Sequence, residues 1–176
     1  MNCFDVVVIG GGSAGYAAAS EAQSKGAKVA IVDKGPLGGL CILRGCMPTK
    51  TILRSSDILS LIRRAKEFGL SAPNPSADLS LINDRKTRLI DEFANYRIEQ
   101  LNDPKFTLIE EHASFISQHE LGVGKRILSA ENIIIATGSK VTQFPIPGLT
   151  EAGFFTSDDV LELRKIPKSM IVLGAG

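Results

Sequence analysis

The chain has 176 residues, of which 44% are hydrophobic and 22% are charged, and its formal net charge is +1. These values are typical of a globular protein of one domain or slightly more, and they argue against a basic nucleic-acid binder. The first residues lack the basic segment of a secretory signal, and no stretch approaches the roughly 20 apolar residues of a membrane span. We therefore expect a cytoplasmic protein, whose thiols are normally kept reduced.

The first forty residues predict a β-α-β unit. FDVVVIG predicts a buried strand, GGGSAG opens a helix that stops at Gly26, and AKVAIVDK predicts a second buried strand. Gly10, Gly12 and Gly15 suit a tight turn, the close approach of a pyrophosphate and close helix packing. Asp33 ends the second strand, where it can accept hydrogen bonds from ribose hydroxyls. In this context the motif predicts a dinucleotide site more strongly than a glycine-rich turn without a ligand.

The middle of the chain predicts two long helices. Residues 35–45 are rich in glycine, and we expect them to be irregular. One helix is expected from about 46 to 68. The other is expected from about 79 to 101, with Asp78 as its N-cap.

From residue 105 the hydrophobic period shortens. The pattern predicts four or five short strands, with turns at Gly122, Gly124 and near Ala130. TSDDVLEL predicts a short helix, which Thr156 or Ser157 would cap. The final MIVLGAG predicts another buried strand.

The end of the sequence repeats the order of its beginning. Gly174 and Gly176 follow an apolar run as Gly10 and Gly12 do, so we expect the chain to stop as a second dinucleotide-binding domain begins. The expected division is a dinucleotide-binding domain that carries the cysteine pair at 1–149, a connector at 150–169 and the first strand of the second domain at 170–176.

Cys41 and Cys46 lie five positions apart in GGLCILRGCMPTK. Because thiols are normally kept reduced in the expected cytoplasmic compartment, a structural disulfide between these two cysteines is the weaker interpretation. Zinc needs about four ligands, and the others available, Cys3 and two histidines, are scattered. Inert buried thiols are common, but the neighbouring glycines indicate that a backbone approaches closely here. A redox-active pair is the remaining interpretation.

Helix geometry restricts the positions that the two cysteines could take if they formed a disulfide. Five steps along a regular helix rise about 7.5 Å, whereas a disulfide holds its Cα atoms about 4.4–6.8 Å apart. A bonded pair would therefore place Cys41 in an irregular entry and Cys46 at the first helical turn. A helix N-terminus stabilises a thiolate, and Lys50 lies about one turn further on the same face.

The stretch resembles the active-site signature of the class I pyridine nucleotide–disulfide oxidoreductases, such as dihydrolipoamide dehydrogenase, glutathione reductase and mercuric reductase. The matching positions are Gly38, Gly39, Cys41, Gly45, Cys46, Pro48 and Lys50. The resemblance extends through the first glycine motif, IIIATGS and TSDDVLEL, and so covers essentially the whole chain. Leu40, Leu43 and Arg44 depart from the usual pattern, which affects the finer flavin contacts but leaves the dithiol intact.

The resemblance implies an α/β fold: a Rossmann-like FAD-binding domain with a parallel sheet, long helices and a small antiparallel β-meander, truncated before an NAD(P) domain. It gives catalytic roles to Cys41, which would exchange with a thiol substrate, to Cys46, which would contact the flavin, and to Lys50, which would lie near flavin N5. All three would also contact FAD. The other expected FAD-binding residues are Gly10, Gly12, Ser13, Ala14, Gly15, Asp33, Lys34, Gly39, Leu40, Gly45, Ala113, Ala136, Thr137, Gly138 and Ser139.

The implied activity is electron transfer between NAD(P)H and a small thiol or disulfide substrate through FAD and the cysteine pair. GYAAAS, with Ser20 where glutathione reductases carry arginine, favours a dihydrolipoamide dehydrogenase-like enzyme. Mercuric reductase-like and glutathione reductase-like enzymes are alternatives, and a non-catalytic nucleotide-binding module is an alternative of another class. The family's catalytic histidine lies in a further domain of a homodimeric parent. We therefore expect this chain alone not to turn over, and we expect His112 and His119 to be solvated or core residues.

Overall fold

Six strands form one mixed sheet in the computed structural model, which describes residues 2–142 and 144–174. In chain order they are β1 (Asn2–Ile9), β2 (Val29–Val32), β3 (Phe106–Ile109), β4 (Ala113–Phe115), β5 (Glu120–Val123) and β6 (Arg126–Ile135). Their order across the sheet is β3-β2-β1-β6-β5-β4. The first four in that order pair in parallel, while β6, β5 and β4 form an antiparallel meander. The predicted α/β class is confirmed, and the meander is continuous with the parallel sheet.

The helices of the described residues are α1 (Ser13–Ser24), α2 (Gly39–Leu43), α3 (Cys46–Arg63), α4 (Leu79–Leu101), α5 (Leu149–Ala152) and α6 (Ser157–Val160), with a 3-10 turn at Ala65–Phe68. Asp78 caps α4 as predicted, because its side chain accepts the N–H groups of Ser80 and Leu81 at 2.8 and 3.3 Å. Thr156 caps α6 through a reciprocal pair with Asp159. Both predicted helix starts are therefore confirmed.

Apolar residues on both faces of the sheet form the core. Along β1, Val7 packs into one buried cluster and Val8 into the other, as expected when successive side chains point to opposite faces. All four residues of β2 are buried, which is typical of a central parallel strand. The predictions of two buried N-terminal strands are confirmed.

The cysteine-rich stretch is more regular than its glycines predict. Residues 39–43 form α2, a short helix, so the expectation of irregular structure is wrong there. Gly38 and Gly39 take positive φ values of 122° and 75°, which make the entry turn. The helix-forming residues after them then close a turn, and the Arg44 N–H donates to the Leu40 carbonyl at 2.9 Å. The following helix also ends earlier than predicted, at Arg63, before the 3-10 turn.

Two of the predicted turns are wrong. Gly122 lies inside β5 and pairs with Ser114 and Ile127, while Ala130 lies inside β6. The predicted turn at Gly124 is confirmed, with a positive φ of 57°, and the chain also turns at residues 116–119. The cause is sheet pairing, which extends strands through small residues that a local pattern assigns to turns.

The segment before the last glycines is not a strand. Residues 170–174 are irregular, and Ile171 and Val172 are 88% and 76% exposed. No strand among the described residues pairs with them, and an apolar run without a partner has no ladder to join. Gly176 lies outside the described residues. The second Gly-x-Gly motif and the division into domains therefore stay predictions.

Candidate active site

The carboxyl ends of the parallel strands meet at one edge of the sheet and border a cavity of about 380 Å³. The predicted site residues that line it are Gly10, Gly12, Asp33, Lys34, Gly39, Leu40, Ala113, Ala136, Thr137, Gly138 and Ser139. Such an edge is the general position of ligand sites in open parallel sheets. Four strands thus bring together residues that are up to 129 positions apart, from Gly10 to Ser139.

The glycine loop after β1 is packed against its neighbours by backbone contacts. Gly10 has a φ of 106°, and a Cβ there would lie 2.8 Å from the carbonyl carbon of Ala136. A Cβ at Gly15 would overlap the carbonyl oxygen of Gly10, so α1 approaches the loop as closely as glycine allows. Gly12 caps α1 without a side chain, which leaves the amide N–H groups of the first turn available to an anion.

Asp33 links the two loops that follow β1 and β2. Its carboxylate accepts the N–H of Gly11 at 2.6 Å through Oδ2 and the N–H of Gly35 at 2.8 Å through Oδ1. The sequence predicts only a ribose contact for this residue. Each carboxylate oxygen has a second lone pair, so Asp33 can still accept a ribose hydroxyl after both backbone bonds are made.

The glycine next to the cysteines approaches the phosphate loop itself. A Cβ at Gly39 would overlap the Cα of Gly12, and a Cβ at Gly12 would lie 3.5 Å from the Cα of Gly39. The first residue of α2 therefore rests on the residue that caps α1. The sequence indicates that a backbone approaches Gly39 closely, and the structure identifies that backbone as this chain's own loop.

Cys41 and Cys46 lie in different helices and face each other as free thiols. The Cys41 thiol donates to the Cys46 sulfur, and this hydrogen bond, with burial and the charge of Cys46, raises the pKa of Cys41. The nearby Cys46 backbone N–H and Ser13 hydroxyl lower that pKa in part. Taken together, these effects favour the protonated form of the Cys41 thiol.

The break between α2 and α3 produces this contact. Arg44 and Gly45 separate the helices, and Cys46 begins α3 with its side chain exposed. The sequence predicts, for a bonded pair, that Cys41 lies in an irregular entry and Cys46 at the first helical turn. Cys46 does begin α3, but Cys41 lies within α2 and both thiols are free. Lys50 lies four residues further along α3 and is also exposed.

Several predicted site residues lie outside the cavity lining. These are Ser13, Ala14, Gly15, Cys41, Gly45, Cys46 and Lys50. The lining also contains residues that the sequence does not predict, namely Ile9, Val32, Gly35, Pro36, Leu43, Arg44, Glu111 and His112. Most of these residues lie at or just after the carboxyl end of a parallel strand. That position is the one feature of the sequence from which they could have been predicted as lining residues.

His112 is one of these additional residues. It follows β3, is exposed and borders the cavity beside Glu111 and Ala113. The expectation that His112 is solvated agrees with its exposure, but the sequence does not predict that it borders the cavity. His119 lies elsewhere, with Nδ1 3.2 Å from the carbonyl oxygen of Ala130.

The short helix α6 is held against the site by polar contacts. Arg44, which lines the cavity, pairs with Asp158 at 3.4 Å. On α4, the buried Asn83 donates to the carbonyl oxygens of Leu161 and Leu163 at 3.1 and 2.8 Å. The end of α6 therefore docks on α4, while its start contacts the junction of the two cysteine helices.

The described residues contain no group of three or more His, Cys, Asp or Glu side chains placed to hold a metal ion. Among the helices described, none is both long and apolar enough to cross a membrane.

Known proteins share this arrangement of sequence and fold. Mercuric reductase from Staphylococcus aureus is 34% identical over 174 residues, covering 98% of this chain and 32% of the relative. Dihydrolipoyl dehydrogenase from Bacillus subtilis (strain 168) is 34% identical over 177 residues, covering 97% of this chain and 39% of the relative. The chain thus spans about a third of the length of these relatives.

A solved structure and a family model agree with these relatives. The structure is a Cu(II) complex of a mutant of the HOCl-induced flavoprotein disulfide reductase RclA from Escherichia coli. It superposes with a TM-score of 0.77 at 28% identity, over 95% of this chain and 36% of that chain. The model of the pyridine nucleotide-disulphide oxidoreductases matches residues 4–176. The chain belongs to the pyridine nucleotide-disulphide oxidoreductase family.

Proposed function

We propose that the protein carrying this chain is an FAD-dependent disulfide oxidoreductase that moves two electrons between NAD(P)H and a thiol or disulfide substrate. The observation that carries the proposal is the contact between the Cys41 and Cys46 sulfurs at the start of α3, beside a dinucleotide-type cavity. A nucleotide-binding module without redox chemistry would have no use for this pair.

The residues of the cavity fit FAD. The uncapped first turn of α1 offers amide N–H groups to the diphosphate, and Asp33 keeps lone pairs for a ribose. Ala113 would meet the adenine, with Glu111 and His112 beside it in the cavity lining. FAD, when bound, supplies the two-electron chemistry that connects a nicotinamide with the cysteine pair.

The two cysteines carry out thiol–disulfide exchange. The proton that Cys41 shares with Cys46 moves onto the Cys46 sulfur, which frees a thiolate at Cys41. This thiolate attacks one sulfur of the substrate disulfide, the substrate S–S bond breaks, and one substrate thiolate leaves. Cys46 gives its proton to the departed substrate thiolate and attacks the Cys41 sulfur of the mixed disulfide, which releases the second thiolate and forms the Cys41–Cys46 disulfide. The cysteine pair loses two electrons and the substrate gains them.

The relatives leave two candidates for the substrate. We propose a dihydrolipoamide dehydrogenase-like enzyme, since relatives with that name match 97–98% of the chain at 31–35% identity. Mercuric reductases match equally well, at 34–36%, and are the second candidate. Turnover with dihydrolipoamide and NAD⁺ favours the first candidate, whereas turnover only with Hg(II) and NADPH favours the second. A cytoplasmic homodimer completes the proposal.

Flavin absorbance tests the pair directly. In the flavin-loaded protein, one equivalent of a dithiol should produce a long-wavelength absorbance band that depends on the Cys46 thiolate. Cys46→Ser should abolish the band, while Cys3→Ser should retain it because Cys3 lies in β1, outside the cysteine helices. A band of equal strength in Cys46→Ser would disprove the role assigned to this sulfur.

A further inference from the structure

Arg44 and Gly45 form the turn that joins the two cysteine helices. Arg44 follows the last residue of α2, and Gly45 precedes Cys46, the first residue of α3. A Cβ at Gly45 would lie 3.1 Å from the Leu40 carbonyl oxygen and 3.4 Å from the Cα of Cys41, so the turn folds back closely onto α2. The path of these two residues therefore fixes where α3 begins relative to Cys41.

The side chain of Arg44 reaches beyond the cysteine helices to α6. Its guanidinium lies 3.4 Å from the carboxylate of Asp158, and the two side chains are half-buried to exposed. Asp158 lies in the first turn of α6, where the Asp159 carboxylate accepts the N–H and the hydroxyl of Thr156 at 2.7 and 2.6 Å. The carboxylate that pairs with Arg44 therefore stands on an ordered helix start.

Two buried side chains of α4 hold the other end of α6. Lys86 donates to the Leu161 carbonyl oxygen at 3.0 Å and to the Glu162 carboxylate at 2.6 Å. Asn83 donates to the same Leu161 carbonyl oxygen at 3.1 Å. A buried donor that loses its partner costs free energy, so α6 cannot move along α4 without leaving these groups unpaired. Asp158 is therefore presented to Arg44 by a helix that is anchored at its opposite end.

We propose that Arg44 is a positioning residue for the cysteine pair: through Asp158 it holds the turn between α2 and α3, and so keeps the two sulfurs placed for disulfide closure. A single exposed ion pair contributes little to global stability. This pair acts on a short turn, however, and movement of that turn changes the separation of Cys41 and Cys46. The proposal rests on the proposed function in treating these cysteines as the redox centre.

The equilibrium of disulfide closure tests the proposal without flavin turnover. The protein is equilibrated with mixtures of reduced and oxidised dithiothreitol; closure forms one S–S bond, and the two electrons and two protons of the thiols pass to the oxidised reagent. Free thiols are then alkylated, and cleavage after lysine releases residues 35–50 as one peptide that carries both cysteines in every variant. The equilibrium constant for closure should fall by about two- to fivefold in Arg44→Ala and by a similar factor in Asp158→Asn, the range of one exposed ion pair.

The direction of the two changes separates positioning from charge alone. A cation near a sulfur stabilises the thiolate and an anion destabilises it, so a purely electrostatic effect would shift closure in opposite directions in the two variants. Positioning predicts the same direction, because either variant breaks the ion pair. The double charge reversal, Arg44→Glu with Asp158→Arg, should restore closure to within about twofold of the original. Arg88→Ala breaks an exposed ion pair with Glu92 inside α4 and should leave closure unchanged.

The proposal is overturned if the single variants shift closure in opposite directions, if neither shifts it, or if the double reversal closes no better than they do. It also fails if Arg88→Ala weakens closure as much as Arg44→Ala. A protein that forms no Cys41–Cys46 disulfide in any mixture would disprove the proposed function as well. The expected shifts, without turnover of any thiol or disulfide substrate by the flavin-loaded protein, would count against the proposed function only.

Discussion

The contact between Gly12 and Gly39 provides the sharpest stability prediction. Gly39 has a φ of 75°, and a Cβ there would overlap the Cα of Gly12. Gly39→Ala therefore combines two costs. A side chain in the left-handed region costs about 1–2 kcal/mol, and an overlap that the backbone must relieve costs about 1–3 kcal/mol. We expect the free energy of unfolding to fall by about 2–5 kcal/mol in total.

Gly69 offers a matched control for the conformational cost. Its φ is 72°, close to that of Gly39, but no atom lies within 4 Å of the position of its Cβ. Gly69→Ala should therefore lose only about 1–2 kcal/mol. Urea unfolding followed by circular dichroism measures both values, with the slope of the transition compared between the variants.

The Gly39 variant should also disturb the cysteine pair. Relief of the overlap moves α2, which carries Cys41, away from the start of α1, so the rate of Cys41 alkylation should change. If Gly39→Ala is no less stable than Gly69→Ala, the two loops do not pack as closely as the structure places them, and this reasoning fails.

Three further outcomes follow from single contacts. Cys46→Ala removes the hydrogen bond that contributes most to the raised pKa of Cys41, so that pKa should fall and alkylation of Cys41 near pH 8 should accelerate; a slower rate would contradict the assigned direction. Asn83→Ala should destabilise the protein to urea by about 1–3 kcal/mol, because two carbonyl oxygens lose a buried donor, and an unchanged midpoint would contradict this. Asp33→Asn should weaken FAD binding by about tenfold in a fluorescence titration, since an amide has one acceptor oxygen, whereas Asp5→Asn should not.

The local pattern of the sequence determines much of the fold. The apolar runs that form β1 and β2, the glycines between β1 and α1 and the cap at Asp78 are each visible within a few residues. The spacing of Cys41 and Cys46 also identifies the redox signature without a structure. These features depend on backbone propensity and on neighbours in the chain, so a sequence pattern contains them.

Predictions fail where a residue's environment comes from a distant segment. Residues 170–174 carry a strand pattern, yet they stay irregular because the described strands offer them no partner. Gly122 carries a turn pattern, yet it lies in β5 because the strands on both sides pair with it. In both cases the presence or absence of a neighbouring strand decides whether the segment forms a strand, and that neighbour is distant in the sequence.

The same division applies to the site. The sequence by itself predicts that Gly12, Asp33 and the cysteine pair serve one kind of chemistry. Only the tertiary structure decides that Asp33 ties two loops together and that Gly39 rests on Gly12. It also decides that His112 borders the cavity. These contacts join the ends of different strands and helices, and the packing of the sheet fixes which of those ends meet.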